Sequence, residues 1–169
     1  KGWPGDDGNA GGALGRWTVF NARSGDGDGT VRGRYKDQFD DDPATFADGA
    51  TNESLKFWWH LRISGFAHGP ITGPGAATAP VMPTGGILGV QSTHANFFPG
   101  LMACVSNVPA RIATTVDTQL DDQRPSSGSV RARKQRLNAS NPDLDDTVDT
   151  ADYIDDGSTQ YVLCRSLQN

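Results

Sequence analysis

The sequence predicts an α+β fold: a small antiparallel β-sheet with one amphipathic helix and long Gly/Pro-rich loops. Three observations carry that reading. Apolar residues recur at clear helical spacing in one stretch, residues 52–64. Short apolar or alternating runs at 87–90, 97–105, 111–116, 130–133 and 161–167 have the length and composition of strands or short extended segments. Finally, 21 Gly and 10 Pro among 169 residues signal many turns, while four Trp, seven Phe and scattered Val and Ile still supply a core, so low-complexity disorder is not the reading.

A chain of 169 residues has room for one domain with a substantial core, and a single domain over 1–169 is expected. The net charge of −5 argues against nucleic acid or anionic lipid as partners, although acidic clusters can hold divalent cations. No run of about 18 apolar residues occurs, so no transmembrane helix and no membrane contact are expected from these residues. The N-terminus lacks a signal-peptide pattern and starts at Lys1 without a Met. Something upstream is therefore expected to have been removed, separately encoded or processed away.

Taken in order, residues 1–10 place Trp3 as an apolar anchor before the Pro4-Gly5 turn signal. Glycine-rich residues 11–23, with Trp17, Val19 and Phe20, lead into Ser24-Gly25-Asp26-Gly27-Asp28-Gly29-Thr30. Asp26 and Asp28, two apart with a small residue between, can turn both carboxylates toward one point, as the first half of many calcium loops does. An EF-hand is excluded, because the sixth position counted from Asp26 is Val31 and the twelfth is Asp37. A calcium site and a plain Asp-Gly turn both fit the loop. Residues 34–49 carry Asp37, Asp40, Asp41, Asp42 and Asp48 around Pro43 and read as an exposed acidic loop.

The helix follows. Thr51 or Asn52 is placed to cap it, Glu53 suits the positive end of its dipole, and Gly65 is a natural stop. Leu55, Trp58, Trp59, Ile63 and Phe66 form an aromatic stripe expected to pack against a sheet. His60, His68 and His94 lack zinc-site spacing and are expected to be satisfied or solvent-facing. Residues 69–86, with four Pro and five Gly, read as an extended surface loop. Residues 107–113 suit either a strand or a short helix entered through Pro109.

Residues 114–133 are the densest run of position-specific residues. They read as a strand, a charged turn and a second strand, with Asp117, Asp121 and Asp122 as three carboxylates near the turn and second-choice calcium ligands after Asp26 and Asp28. A basic patch of Arg131, Arg133, Lys134 and Arg136 precedes residues 141–156, which hold seven Asp. Ion pairing within the chain or between subunits is expected there, adding little stability but able to set register. Thr115-Val116-Asp117-Thr118 recurs as Thr147-Val148-Asp149-Thr150, too short a match for a repeat.

Cys104 and Cys164, an even pair in a loop-rich acidic chain without short metal-ligand spacing, are expected to form a disulfide. Such a bond would tie the final strand to the middle of the domain, stabilise it by about 4 kcal/mol on the chain-entropy account, and imply an oxidising compartment.

Four stretches share a resemblance. Asp117, Thr118, Asp121, Asp122, Pro125, Gly128, Val130, Arg131 and Ala132 match a D-T-K-x-D-D-G-x-P-x-x-G-x-V-R-A segment. This segment resembles one in the head domains of type IV pilin-like proteins, a family covering pilus subunits, minor pilins and the pseudopilins of type II secretion. Gln119 stands where that family has Lys and Gln123 where it has Gly, and the lost glycine predicts a turn of different shape. Trp3, Pro4, Gly5, Asp6, Asn9 and Ala10 are similar to the pattern that ends the family's long N-terminal helix. Glu53, Trp59, His60, Leu61, Gly65, Phe66 and Gly69 answer its tryptophan helix with one residue of offset. Tyr161, Leu163 and Cys164 resemble its closing strand.

The resemblance implies a pilin-like globular head lacking its long N-terminal helix, with Lys1 near the end of that helix. It further implies other pilin-like subunits as partners in a homo- or hetero-polymeric filament, and the helix supplied upstream or by a separate chain. The other functional class is a secreted calcium-stabilised binding or adhesion module. Enzyme motifs such as a G-x-S-x-G elbow, a P-loop or H-E-x-x-H do not occur, so catalysis is not expected. Calcium is the one cofactor candidate.

Overall fold

In the computed structural model, which describes residues 2–136 and 139–168, two helices and a five-stranded antiparallel sheet make a small α+β fold. Lys1, expected near the end of a preceding helix, lies outside the described residues. The chain divides into two compact units, residues 1–79 with 90–92, and residues 80–89 with 93–169.

The first unit is built on helix α1 (Glu53–Ile63), which Gly65 ends at φ +79°. Asn52 sits at the N-cap position at φ +56° and contributes no side-chain cap. The amphipathic stripe expected of α1 is corrected, because nine of its 11 residues are buried, charged ones included. Leu55 and Trp59 pack with Ala22, Phe46, Ala76 and Ala77, so the core neighbours come from loops rather than from a sheet. Phe66, counted in the stripe, lies beyond the helix and is 84% exposed.

Most buried polar side chains of α1 meet backbone groups that the loops leave unpaired, whereas Ser54 Oγ and Trp58 Nε1 have no partner among the described residues. Lys56 Nζ donates to the carbonyls of Ser24 at 2.8 Å and Gly49 at 2.9 Å. The Arg62 guanidinium donates to the carbonyls of His68, Ala76 and Thr78 at 3.2, 2.7 and 2.6 Å. Trp59 Nε1 donates to Ile71 at 2.8 Å. Loop backbone that has no strand to pair with is thus held by helix side chains.

The sheet comprises β1 (Leu88–Ser92), β2 (Leu101–Pro109), β3 (Val130–Gln135), β4 (Thr147–Val148) and β5 (Gln160–Ser166), paired in the order β1-β2-β5-β3-β4. The last three residues of β1 are counted with the first unit. β2 and β5 run antiparallel, from Met102 opposite Ser166 to Pro109 opposite Gln160, with a bulge between Val105 and Val108. Asn107 sits in that bulge at φ +53°, a conformation Asn tolerates, and exchanges hydrogen bonds of 2.6 and 3.0 Å with the Gln135 side chain. Cys104 and Cys164 face each other across β2 and β5, 4.0 Å apart at Cα, and are joined by the expected disulfide.

Residues 111–116, expected as a strand, belong instead to helix α2 (Ala110–Leu120), which follows Pro109 as the helical alternative for 107–113 had it and also takes in residues 114–120, expected as the first strand of the 114–133 stretch. The β-branched run Thr114-Thr115-Val116 suggests a strand locally. Three features override it. Pro109 starts the helix, the hydroxyls of Thr114, Thr115 and Thr118 bond back to carbonyls four residues earlier, and Ala110, Ala113 and Asp117 place one buried face at helical spacing. Ala110 and Ala113 then pack with Val108, Ala132 and Tyr161. The sequence echo has no structural counterpart, since Thr115–Thr118 are helical and Thr147–Val148 form β4.

Candidate functional site

Two groups of carboxylates come together, one in each unit. In the first, single oxygens of Asp6, Asp26 and Glu53 lie within 4.8 Å of one another. Helix α1 presents Glu53 in its first turn, where Oε1 accepts the Asp26 N–H at 3.1 Å and Oε2 the Arg32 N–H at 2.9 Å. The chain start is fixed to the same helix, because the Gly5 N–H donates to His60 Nδ1 at 2.9 Å. Only glycine fits there: φ is +85°, and a Cβ would fall 2.2 Å from the Glu53 carbonyl oxygen. Asp6, the next residue, is therefore carried under the 24–30 loop. Its Oδ2 accepts the Gly29 N–H at 3.0 Å and the Gly27 N–H also pulls on the carboxylate, while its buried Oδ1 has no hydrogen bond of normal geometry among the described residues.

Asp28 stands outside this group. It shares Arg32 with Asp26, the guanidinium lying 2.7 Å from Asp26 Oδ2, 2.5 Å from Asp28 Oδ2 and 3.9 Å from Glu53 Oε2. Burial pushes the Asp6 and Glu53 carboxyls above the usual carboxylate range, against the pull of the backbone N–H groups they accept. Asp28, at the surface, is held below that range by the Thr30 N–H and by Arg32. His60 is fully buried, and Gly5 donating to Nδ1 places its ring proton on Nε2, 2.9 Å from the Arg23 carbonyl. Burial lowers its pKa to about 4, so the imidazole is neutral.

In the second unit, oxygens of Asp117, Asp121 and Asp122 also lie within 4.8 Å of one another. These carboxylates are engaged by the turn they belong to. Asp117 Oδ1 accepts the Gln123 N–H and its Oδ2 the Tyr153 hydroxyl, at 3.1 and 2.6 Å. Asp121 Oδ2 accepts the Val130 N–H at 2.9 Å; Asp122 accepts the Arg124 N–H at 2.9 Å and the Ser127 hydroxyl at 2.6 Å. Gln123 takes φ +64°, the left-handed region that a glycine would enter without strain. Gly128 is less replaceable, because a Cβ there would meet Asp121 Oδ2 at 1.8 Å.

Of the basic patch, Arg133 makes an ion pair within the chain, while Arg131 and Arg136 meet neutral groups. Arg133 lies 3.4 Å from Asp149 and donates to Thr147 Oγ1 at 3.0 Å. Arg136 donates to the Asp146 carbonyl at 3.1 Å. Arg131 stacks over the Phe98 ring at 4.7 Å and donates to the Phe97 carbonyl.

Of the sequence-derived site residues, Asp26 joins a carboxylate group without Asp28, Asp117, Asp121 and Asp122 form one together, and Cys104 and Cys164 are bonded. Sequence reading missed Asp6 and Glu53 as members of the first group. Both carried a local role, one beside a turn and one in a helix start, far apart in the sequence. Their only signal was that both fall in family-matching stretches. Comparison with family models, curated proteins and solved structures finds no match to this chain.

Proposed function

We propose that this chain is the globular head of a type IV pilin-like subunit, a structural component of a filament whose N-terminal helix is supplied upstream or by a separate chain. One observation carries the reading: residues that answer the family patterns hold distant parts of the chain together. Gly5 bonds to His60, Glu53 receives the N–H groups of Asp26 and Arg32, Asp121 receives that of Val130, and Cys164 is joined to Cys104. Their work is scaffolding, which suits a structural subunit, and the reading assigns no catalysis to them.

In this reading the head faces outward from an extracellular filament or within the periplasm, where the disulfide can persist. Among the described residues no helix is long and apolar enough to cross a membrane, so the anchoring helix would be an added element. Electron microscopy of the full-length gene product tests the proposal, with fibres as the expected result. The gene should encode a short basic leader, a Gly before the cleavage point and about 20 apolar residues with a Glu at the fifth mature position. A monomeric product, from a gene that joins an ordinary secretory signal directly to Lys1, would overturn the reading in favour of a secreted binding module stabilised by calcium.

A further inference from the structure

We infer that Asp6, Asp26 and Glu53 form a calcium site in the first unit, held under the 24–30 loop against the start of α1. The inference is independent of the filament reading. Three carboxylates each bring an oxygen within 4.8 Å of the others, and one of them, Asp6, is fully buried with its Oδ1 unpartnered among the described residues. A buried carboxylate oxygen without a donor is costly, and a cation among the three oxygens would satisfy it.

Charge points the same way. Asp6, Asp26, Asp28 and Glu53 bring four carboxylates to this corner, while two cations act on them: the Arg32 guanidinium, 45% exposed and occupied by Asp26 and Asp28, and the buried Lys56 ammonium, bonded to the Ser24 and Gly49 carbonyls and felt by Glu53 and Asp26. The approach of Arg32 to Glu53 is 3.9 Å, and no ion pair links Arg32 to Asp6 among the described residues. The hydrogen bonds already made leave lone pairs for a metal. Asp6 Oδ2 and both Glu53 oxygens accept a backbone N–H each, Asp26 Oδ1 accepts the Asp28 N–H and its Oδ2 the Arg32 guanidinium, and each of these oxygens has a second lone pair for a cation.

The donors select the ion. All three are carboxylate oxygens, without nitrogen or sulfur, which disfavours zinc and copper and suits a hard cation. Calcium takes six to eight oxygens in flexible geometry, completed by carbonyls and water, whereas magnesium demands a near-ideal octahedron and gives up its waters reluctantly, so an all-carboxylate set drawn from three separate segments suits calcium.

The test is a thermal melt of the protein, stripped with EDTA and titrated with CaCl2, followed by tryptophan fluorescence. At a CaCl2 concentration about a hundredfold above Kd, the Tm should rise by about 5–10 °C and saturate. Asp26→Asn, at a partly exposed position where folding is retained, should abolish the rise, while Asp121→Asn in the other acid group should leave it intact. Asp6→Asn provides a signature that a purely structural carboxylate would not give. Its amide can donate where Oδ1 now lacks a partner, so it should melt higher than wild type in EDTA and ignore calcium. The inference is overturned if wild type shows no saturable shift at millimolar CaCl2, or if Asp26→Asn responds like wild type. It is equally overturned if Asp6→Asn melts lower in EDTA while keeping the response, and an equal shift with MgCl2 removes the assignment to calcium.

Discussion

The two units solve the same problem by different means. In the second, backbone groups find one another across β2, β5 and β3, and side chains mostly fill the core of α2 against the sheet. In the first, the loops have little strand to pair with, and Glu53, Lys56, His60 and Arg62 reach from α1 to backbone N–H and C=O groups at 2.6 to 3.2 Å. A ladder shares its hydrogen bonds among many interchangeable residues. A polar helix concentrates them in four side chains, so the first unit should be far more sensitive to single substitutions.

Arg62→Leu probes that contrast most severely. It leaves the buried carbonyl of Ala76 and the part-buried bonds to His68 and Thr78 without their donor and should destabilise by about 5 kcal/mol, at roughly 1–3 kcal/mol per orphaned group. Urea unfolding followed by tryptophan fluorescence reads it cleanly, because Trp3, Trp17, Trp58 and Trp59 all belong to the first unit. Arg133→Leu in the second unit, whose partner Asp149 is 68% exposed, should cost about 1 kcal/mol or less; equal losses would erase the contrast.

The second unit has its own concentrated element. Replacing Cys104 and Cys164 together by Ala should lower stability by about 4 kcal/mol, because the closed loop spans a separation of 60 residues. Amide exchange should show the loss in β2, β3 and β5; a loss confined to α1 would contradict the assignment of this staple to the sheet.

A smaller effect comes from pH. His60 titrates near 4 when folded against 6.5 in its ordinary state, so above pH 6.5 it contributes no pH dependence. Between 6.5 and about 4 the unfolded chain binds a proton that the folded one refuses, and stability falls with pH by about 3 kcal/mol in total. Asp6 and Glu53, whose carboxyls burial raises, act in the opposite direction over the acid range. The difference in urea midpoint between wild type and His60→Gln, taken at pH 7.5 and 4.5, isolates the imidazole, and a pH-independent difference would refute its buried neutrality.

The least effect is a gain. Gln123→Gly should stabilise the second unit's acid turn by about 1 kcal/mol by removing a side chain from the left-handed region. A loss would mean that the Gln123 side chain offsets its backbone conformation.

What the sequence made legible follows the same division. α1, the closing strand β5 and the disulfide were readable because apolar spacing, Gly65 and a cysteine pair are local or countable signals. The start of α2 was readable from Pro109 as one of two alternatives, but its length was hidden by β-branched threonines, whose hydroxyls bond back into the helix only once it exists. β4, two residues long, is set by its pairing with Lys134 and Gln135 and has no pattern of its own. The burial of Lys56 and Arg62 was illegible for a deeper reason: charged residues read as surface until the carbonyls that receive them are in place. The same holds for Asp6 and Glu53, whose meeting depends on Gly5 docking on His60.

The Cys104–Cys164 bond also sets a mechanical path through the chain. A pull applied at the two ends passes from residue 104 to residue 164 through sulfur and bypasses α2, β3 and β4. About 200 Å of extended chain is never released, so under load the second unit can loosen but cannot unravel. The stretch before Cys104, which holds α1 and its loops, has no such shortcut and would act as the extensible part of the molecule.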